Sequence, residues 1–147
     1  MKSRKKYSLL ISTIFLLTFN NAFVYASTYL TDPPHTSIGF NVKYLMITDV
    51  FGKFKSYDAK VEIDETTKEL IGAEANIEVA SLTTENSKRD GHLKSSDFFD
   101  ASKFPNITFK SKDVKKISKN KYEMIGDLTI KGITKTIILR GEYTGFI

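Results

Sequence analysis

The 147-residue sequence contains no cysteine and no tryptophan, and it has only two histidines and three prolines. Without cysteine, the chain cannot form disulfide bonds, thiolate metal sites, a cysteine nucleophile or a lipid-modified cysteine anchor. The two histidines, His35 and His92, are far apart in the sequence, and neither belongs to a metal-ligand spacing. We therefore expect no metal site, and we expect each histidine to be a structural, hydrogen-bonded residue.

A serine hydrolase site is not indicated either. Ser95, His92 and Asp97 supply the residue types of a catalytic triad, but they crowd a single local segment. The sequence also lacks a G-x-S-x-G motif and any signature of an oxyanion hole. These observations predict a protein that is not an enzyme.

The longest mostly apolar run, residues 9–19, is too short to span a membrane. Four basic residues precede it between positions 2 and 6, and small or modest residues follow it up to Ala26. This order is typical of a secretory signal peptide over residues 1–26. We expect cleavage near Ala26, no stable membrane anchor afterwards, and a periplasmic or secreted product.

The charge of the chain is concentrated in this predicted signal peptide. Removing its four basic residues from the 22 in the chain leaves 18, against 17 acidic residues. The remaining 27–147 segment is therefore almost neutral, and it has no basic patch interleaved with aromatic residues. This excludes nucleic-acid binding as a function.

Residues 27–147 have the pattern of a single all-β domain. Apolar and polar residues alternate with a period of two in 38–44, 59–63, 73–79, 106–111 and 122–130. Residues 27–34 are predicted to be a lead-in without a central strand, because two consecutive prolines remove ladder donors. About six strands are indicated, in an antiparallel meander that curls toward a barrel, whereas closure around a ligand takes about eight strands.

A long polar connection at residues 81–109 interrupts the strands. A hairpin loop needs only two to five residues, so a connection of this length is a plug, a lid or a site. Thr84 is predicted to cap a helix that ends near Lys94, and a further helical turn extends to Ala101. The sequence therefore predicts a short helical insertion at about 84–101, after which Pro105 returns the chain to the sheet.

Several motifs together resemble the YceI-like family, which consists of exported bacterial lipocalin-like β-barrels that bind polyisoprenoid lipids. They are residues 32–40, residues 52–54, residues 89–93 leading into 97–100, residues 104–109 and residues 126–135. Their order and spacing match the family over nearly all of the 27–147 segment.

Two differences from the family pattern are visible. The family usually has a histidine and a glycine where this chain has residues 44–46, so a role that depends on that histidine is not expected here. The family also continues beyond residues 142–146 into further strands. The resemblance thus implies a YceI-like lipid-binding β-barrel domain over 27–147 that lacks the last strands and is incompletely closed.

The resemblance implies a tube of inward-facing apolar side chains that holds the tail of a prenyl quinone or a prenyl pyrophosphate, with no other cofactor. A long tail fits best, because each buried methylene contributes about 0.8 kcal/mol while association costs roughly 4–15 kcal/mol. The candidate lining residues are Phe40, Val42, Phe54, Val61, Ile63, Ile77, Val79, Ile107, Phe109, Leu128 and Ile130. The alternative is that these side chains fill a solid core.

Two further roles follow from the resemblance for residues of the insertion. Arg89 either pairs with Asp90 and holds the insertion in place, or contacts the head group of a lipid pyrophosphate. The apolar side of the insertion acts as a flexible lid or as a fixed plug, and it consists of Leu93, Phe98, Phe99 and Phe104.

A structural or interaction protein is the alternative to a lipid carrier. An incomplete barrel leaves a sheet edge open, and an open edge can pair with another chain, for example in a homodimer. In that case no lipid is bound.

Overall fold

The computed structural model describes residues 25–44 and 48–145, which form nine β-strands and one α-helix. Residues 1–24 of the predicted signal peptide lie outside the described residues. Residues 45 and 46, where the sequence differs from the family pattern, also lie outside them. Two short 3₁₀ turns, Pro33–His35 and Val79–Ser81, complete the secondary structure of the described part. The elements are β1 Ala26–Leu30, β2 Ile38–Tyr44, β3 Thr48–Phe54, β4 Tyr57–Asp64, β5 Leu70–Glu78, β6 Leu82–Thr83, α1 Ser87–Lys94, β7 Asn106–Lys116, β8 Lys121–Ile130 and β9 Ile133–Glu142.

The strands form two antiparallel sheets. The larger sheet has the order β1-β4-β5-β7-β8-β9, and the smaller sheet has the order β2-β3-β6. The predicted all-β, antiparallel architecture with one short helix is confirmed. Within the described residues the two sheets do not join into a closed barrel, and the larger sheet ends at β1 on one side and at β9 on the other.

The N-terminal strand β1 corrects the prediction that residues 27–34 form only a lead-in. Its five residues pair in register with β4, from Ala26 opposite Asp64 to Leu30 opposite Lys60. Because β1 lies at the edge of the sheet and is largely exposed, its residues do not need to alternate between apolar and polar. The two prolines that argued against a strand follow β1, in the first 3₁₀ turn.

Glycines explain two local features of the sheets. Gly52 lies in an uninterrupted β2–β3 ladder, and a Cβ atom there would lie 2.2 Å from the ring of Phe40. Gly52 is therefore required for the close approach of the Phe40 ring to β3, and it does not mark a bulge. Lys131 and Gly132 both have positive φ angles, +51° and +73°, which form the tight turn between β8 and β9 and suit the right-handed twist of a hairpin.

The hydrophobic core lies where the inner faces of the two sheets meet. Its buried residues come from β3, β5, β6, β7 and the second 3₁₀ turn, and they are Phe54, Ile77, Val79, Leu82 and Ile107. Side chains from both sheets and from residues 93–101 pack around this cluster. One end of the space between the sheets is therefore solidly filled.

Candidate functional site

A cavity of about 290 Å³ lies on the inner face of the larger sheet, next to the core cluster, against which its lining residue Ala75 also packs. Three alanines of β4 and β5, Ala59, Ala73 and Ala75, form part of its wall. Because these side chains are small, they leave space where larger residues would fill the interior. The other inward-facing lining residues are Val61, Leu70, Phe109, Tyr122, Met124, Leu139, Gly141 and Tyr143.

Aromatic rings close the interior at the core end. The rings of Phe40 and Phe54 lie 5.7 Å apart between their centroids, and Phe99 contacts both of them, at 6.3 and 6.4 Å. Edge-to-face and tilted ring pairs at these separations are mutually attractive. Phe99 belongs to the connection between α1 and β7, so the insertion itself seals this end.

The helical part of the insertion is fixed by a network around Thr84. Asn86, and not Thr84, caps α1, because its side chain accepts a hydrogen bond from the Arg89 amide at 3.0 Å. Arg89 donates from Nε to the Thr84 hydroxyl at 2.7 Å and from Nη2 to the Thr84 carbonyl at 2.9 Å. Asp90 accepts from the Thr84 amide at 2.7 Å and from the Thr84 hydroxyl at 2.6 Å.

Arg89 and Asp90 therefore hold the insertion through Thr84, without the direct ion pair proposed as one role of Arg89. Desolvation raises the pKa of Asp90, but hydrogen bonds from Thr84 and from the Thr83 hydroxyl outweigh it and leave that pKa below its ordinary value. The carboxyl group is consequently ionised at neutral pH, which is the state that accepts these hydrogen bonds best.

The four apolar residues of the insertion occupy three different environments. Leu93 and Phe99 pack against the core cluster. Phe98 is 47% exposed and lies edge-on to His92, with 4.9 Å between the ring centroids. Phe104 is half-buried, and its ring lies over Gly132 in the β8–β9 turn.

The opposite end of the interior carries a polar network on β1 and the β4–β5 turn. The Tyr29 hydroxyl donates to Glu65 at 2.9 Å, and the Lys68 ammonium also donates to Glu65. Hydrogen bonds from Lys68, Ser27 and Tyr29 lower the pKa of Glu65 to about 2. The bond to Glu65 is the main reason that the pKa of Tyr29 is raised. This end is thus polar, in contrast to the aromatic core end.

Comparison with known proteins identifies the family. The model of the YceI-like domain matches residues 29–147. This chain belongs to the YceI-like family. A UPF0312 protein of Photorhabdus laumondii is 37% identical over 142 residues, which cover 95% of this chain and 73% of that protein. A UPF0312 protein of Staphylococcus aureus is 40% identical over 119 residues, which cover 81% of this chain and 67% of that protein.

Two solved structures have a similar fold. The YceI protein of Campylobacter jejuni superimposes with a TM-score of 0.64 at 43% identity, covering 80% of this chain and 68% of that one. BcnA of Burkholderia cenocepacia gives a TM-score of 0.68 at 29% identity, covering 74% and 68%. The resemblance seen in the sequence motifs is therefore confirmed.

The predicted lining residues of this YceI-like chain divide among the cavity, the core and the surface. Val61 and Phe109 line the cavity. Phe40 and Leu128 pack partly buried against the core cluster, and Val42 and Ile130 are 48% and 36% exposed. The remaining five are buried, and all but Ile63 belong to the core cluster: Phe54, Ile63, Ile77, Val79 and Ile107.

Several cavity residues were missing from the predicted set. Leu70, Met124 and Leu139 line the cavity, as do Tyr122 and Tyr143, whose rings are 6.1 Å apart. Alternation pointed to Tyr122, Met124 and Leu139, which fall on the inward-facing phase of β8 and β9. It could not point to Leu70, which follows a register shift in the β4–β5 ladder, or to Tyr143, which lies beyond the end of β9. Alternation does not distinguish a residue that lines a cavity from one that fills a core. The three alanines whose small side chains leave the cavity open carry no further signal in the sequence.

The two histidines of this YceI-like domain each contact one aspartate on the surface. His35 Nδ1 lies 2.7 Å from Asp32, and His92 Nε2 lies 3.4 Å from Asp97. Ser95 donates its hydroxyl hydrogen to the His92 carbonyl rather than to the imidazole. Within residues 25–44 and 48–145, no three His, Cys, Asp or Glu side chains are grouped as metal ligands.

In the described part of the chain, no helix is both long and apolar enough to cross a bilayer.

Proposed function

We propose that this protein is an exported, non-enzymatic binding protein that carries or sequesters a long-chain polyisoprenoid, a prenyl quinone or a prenyl pyrophosphate, in the manner of a lipocalin. The observation that carries the proposal is the apolar cavity on the inner face of the larger sheet. Family membership supports it, because the YceI-like resemblance implies a polyisoprenoid ligand. Export is proposed on the signal-peptide pattern alone.

The chemistry of the cavity wall suits a hydrocarbon chain. Its inward-facing side chains are mainly aliphatic or aromatic, among them Val61, Leu70, Phe109, Met124 and Leu139. Transfer of a methylene group from water to such a wall contributes about 0.8 kcal/mol, so affinity rises with the number of carbons that are covered.

The size of the cavity suits part of a long isoprenoid rather than the whole molecule. At about 290 Å³ it is near the lower limit of ligand pockets, which is about 300 Å³. The remainder of a long chain then extends past the rim, where Leu139 of β9 is 44% exposed.

The core end leaves little room for a head group, since Phe40, Phe54 and Phe99 fill it. Arg89 lies at this end, and its hydrogen bonds to Thr84 favour its role in holding the insertion over a contact with pyrophosphate. We propose that the head group lies at the polar end, beside the network of Tyr29, Glu65 and Lys68.

Native mass spectrometry tests the proposal with a prenyl quinone and a prenyl pyrophosphate of matched chain length. Ala73→Phe fills the cavity, and Ala80→Phe makes the same change at an exposed position. The unsubstituted protein and Ala80→Phe are expected to retain one lipid, and Ala73→Phe is expected to lose it. Failure of the unsubstituted protein to retain either lipid, or equal retention by both variants, contradicts the proposal.

A further inference from the structure

Asp90 and Gly91 form the one Asp-Gly pair of the sequence, which has no Asn-Gly pair. An aspartate that precedes glycine readily undergoes a spontaneous rearrangement of the main chain, because glycine has no Cβ atom to hinder its amide nitrogen. The structure places this pair within α1, near the start of the insertion. The Asp90 side chain also belongs to the network around Thr84, which the binding function proposed above does not use.

The rearrangement needs no reactant other than water. The Gly91 amide nitrogen attacks Cγ of Asp90, a carbon–nitrogen bond forms, and one carboxyl oxygen leaves as water with the amide hydrogen and the carboxyl hydrogen. Water then opens the cyclic imide at either of its two carbonyl carbons. One product is aspartate again, and the other is isoaspartate, in which the main chain passes through the former side chain.

The surroundings of Gly91 do not hinder this attack. Gly91 is exposed, and a Cβ atom there would have no neighbour within 4 Å. Protection against the reaction must therefore come from the hydrogen bonds of the two residues.

Hydrogen bonds from outside α1 engage both oxygens of the Asp90 carboxylate. One oxygen accepts from the Thr84 amide at 2.7 Å and from the Thr84 hydroxyl at 2.6 Å, and the other accepts from the Thr83 hydroxyl at 3.1 Å. Loss of either oxygen as water requires that its hydrogen bonds break first. The same bonds hold the pKa of Asp90 below its ordinary value, and a carboxylate loses an oxygen less readily than a neutral carboxyl group.

The helix restrains the attacking nitrogen as well. Gly91 is the fifth residue of α1, so the α-helical pattern directs its amide toward the carbonyl of Ser87. That hydrogen bond must open before the nitrogen can reach a side chain. Both partners in the reaction are therefore held in the closed insertion.

We propose that Asp90 is a site of spontaneous conversion to isoaspartate, which the Thr84 network and α1 hold unreactive, so that the modification forms only when the start of the insertion opens. The rate is then the rate in the open chain multiplied by the fraction of molecules that are open. The proposal is independent of lipid binding, since it depends only on the insertion.

The modification prevents the insertion from closing again. Isoaspartate adds one methylene group to the main chain within α1 and attaches the free carboxylate directly to a main-chain carbon. The hydrogen bonds to Thr83 and Thr84 can then no longer form with their present geometry. Asp90 thus records opening, because a fixed plug accumulates little isoaspartate and a lid that opens often accumulates more.

Incubation of the protein in heavy-oxygen water at neutral pH measures the reaction, because hydrolysis of the imide places one heavy oxygen atom in the product. Mass spectrometry after digestion in ordinary water locates this atom, and chromatography separates isoaspartate from aspartate. A synthetic peptide of residues 86–94 is the reference, since it lacks both threonines and is too short for a stable helix. The protein is expected to react at least about tenfold more slowly than the peptide, which corresponds to about 1.4 kcal/mol.

Thr84→Val removes the hydroxyl that joins Arg89 to Asp90 and keeps the shape of this buried side chain. It is expected to raise the rate about tenfold, the factor that loss of about 1.4 kcal/mol of hydrogen bonding produces. Thr108→Val makes the same change at an exposed position of β7 and should leave the rate unchanged. Adding Gly91→Ala to Thr84→Val should suppress the reaction, because the new Cβ atom hinders the nitrogen.

Circular dichroism checks that each variant is folded. If Thr84→Val does not fold, Thr83→Val removes only the bond at 3.1 Å and should still raise the rate by a smaller factor.

Three results would each overturn the proposal. They are a protein that reacts as fast as the peptide, folded threonine variants of the network that react no faster than the unsubstituted protein, and an increase in Thr108→Val as large as that in Thr84→Val. Lipid retention measured on the same samples reports separately on the function proposed above.

Discussion

Close approaches between single residues determine how the inner face of the larger sheet packs. The ring of Phe109 lies over Gly126 on the neighbouring strand β8, and a Cβ atom at Gly126 would be 2.6 Å from that ring and 2.5 Å from the Lys110 carbonyl oxygen. The backbone oxygen cannot move aside cheaply. Gly91 is the opposite case, because it lies within α1 and has open space around it.

Substitution of these two glycines by alanine should therefore have effects of opposite sign. Gly126→Ala overpacks the interior and is expected to destabilise the protein by about 1–3 kcal/mol. Gly91→Ala removes a flexible residue from a helix and should stabilise it by about 0.5–1 kcal/mol. Urea denaturation measures both values, and destabilisation by Gly91→Ala together with a neutral Gly126→Ala would show that this packing is not as described.

The insertion between β6 and β7 behaves as one element that is fixed at both of its ends. Thr84 holds its start through Arg89 and Asp90, and Phe99 anchors its later part among core side chains. Phe98, its neighbour, is largely outside this contact. These contacts favour a fixed plug over a lid that opens.

Substitution of two adjacent phenylalanines, Phe98 and Phe99, distinguishes a fixed plug from a lid. Phe99→Ala should destabilise the protein by about 2 kcal/mol, which is less than the loss for a fully buried ring because Phe99 is half-buried. Phe98→Ala is expected to change the free energy of unfolding by less than about 0.5 kcal/mol. Thermal and urea unfolding measure the difference, and similar losses for both variants would mean that the insertion is not anchored through Phe99.

At the scale of the whole molecule, the interior has a filled end and a hollow end. The filled end brings together residues of both sheets and the insertion, whereas the hollow end is bounded by strands of the larger sheet. Within the described residues of this sheet, β4, β5, β7 and β8 have paired strands on both sides, and β1 and β9 have a paired strand on one side. The central strands should therefore resist local opening more strongly than the edge strands.

Hydrogen exchange measured by mass spectrometry checks this expectation. Amides of β5 and β7 should exchange most slowly, and those of β1 and β9 should exchange earlier, because edge strands open at lower free energy. Uniform protection across the sheet would contradict the proposed difference between central and edge strands.

Sequence patterns predicted the parts of this fold that depend on alternation. They located the inward residues of β4, β5, β7 and β8, and composition placed the insertion correctly. They missed β1, because an exposed edge strand needs no alternation, and they assigned the helix cap to Thr84 where Asn86 occupies it. The cap was missed because both residues are good capping types and only the backbone conformation chooses between them.

The position of the cavity lay beyond these patterns. Ile77 and Val61 have the same alternation signal, yet one is in the core cluster and the other lines the cavity. The difference arises from what lies opposite each side chain across the interior, which is a property of the arrangement of the two sheets. The family motifs imply a class of ligand, and the structure shows where a cavity lies.

The separation of a filled end from a hollow end also affects how such a protein can diverge. Substitutions at Ala59 and Ala73 reshape the cavity at positions outside the cluster of Phe54, Val79 and Leu82, which supply much of the buried core. Because most mutations are tolerated only while stability stays above a threshold, the hollow end can vary at little cost to folding. Descendants of one ancestral sequence can thereby acquire cavities of different size while keeping the same scaffold.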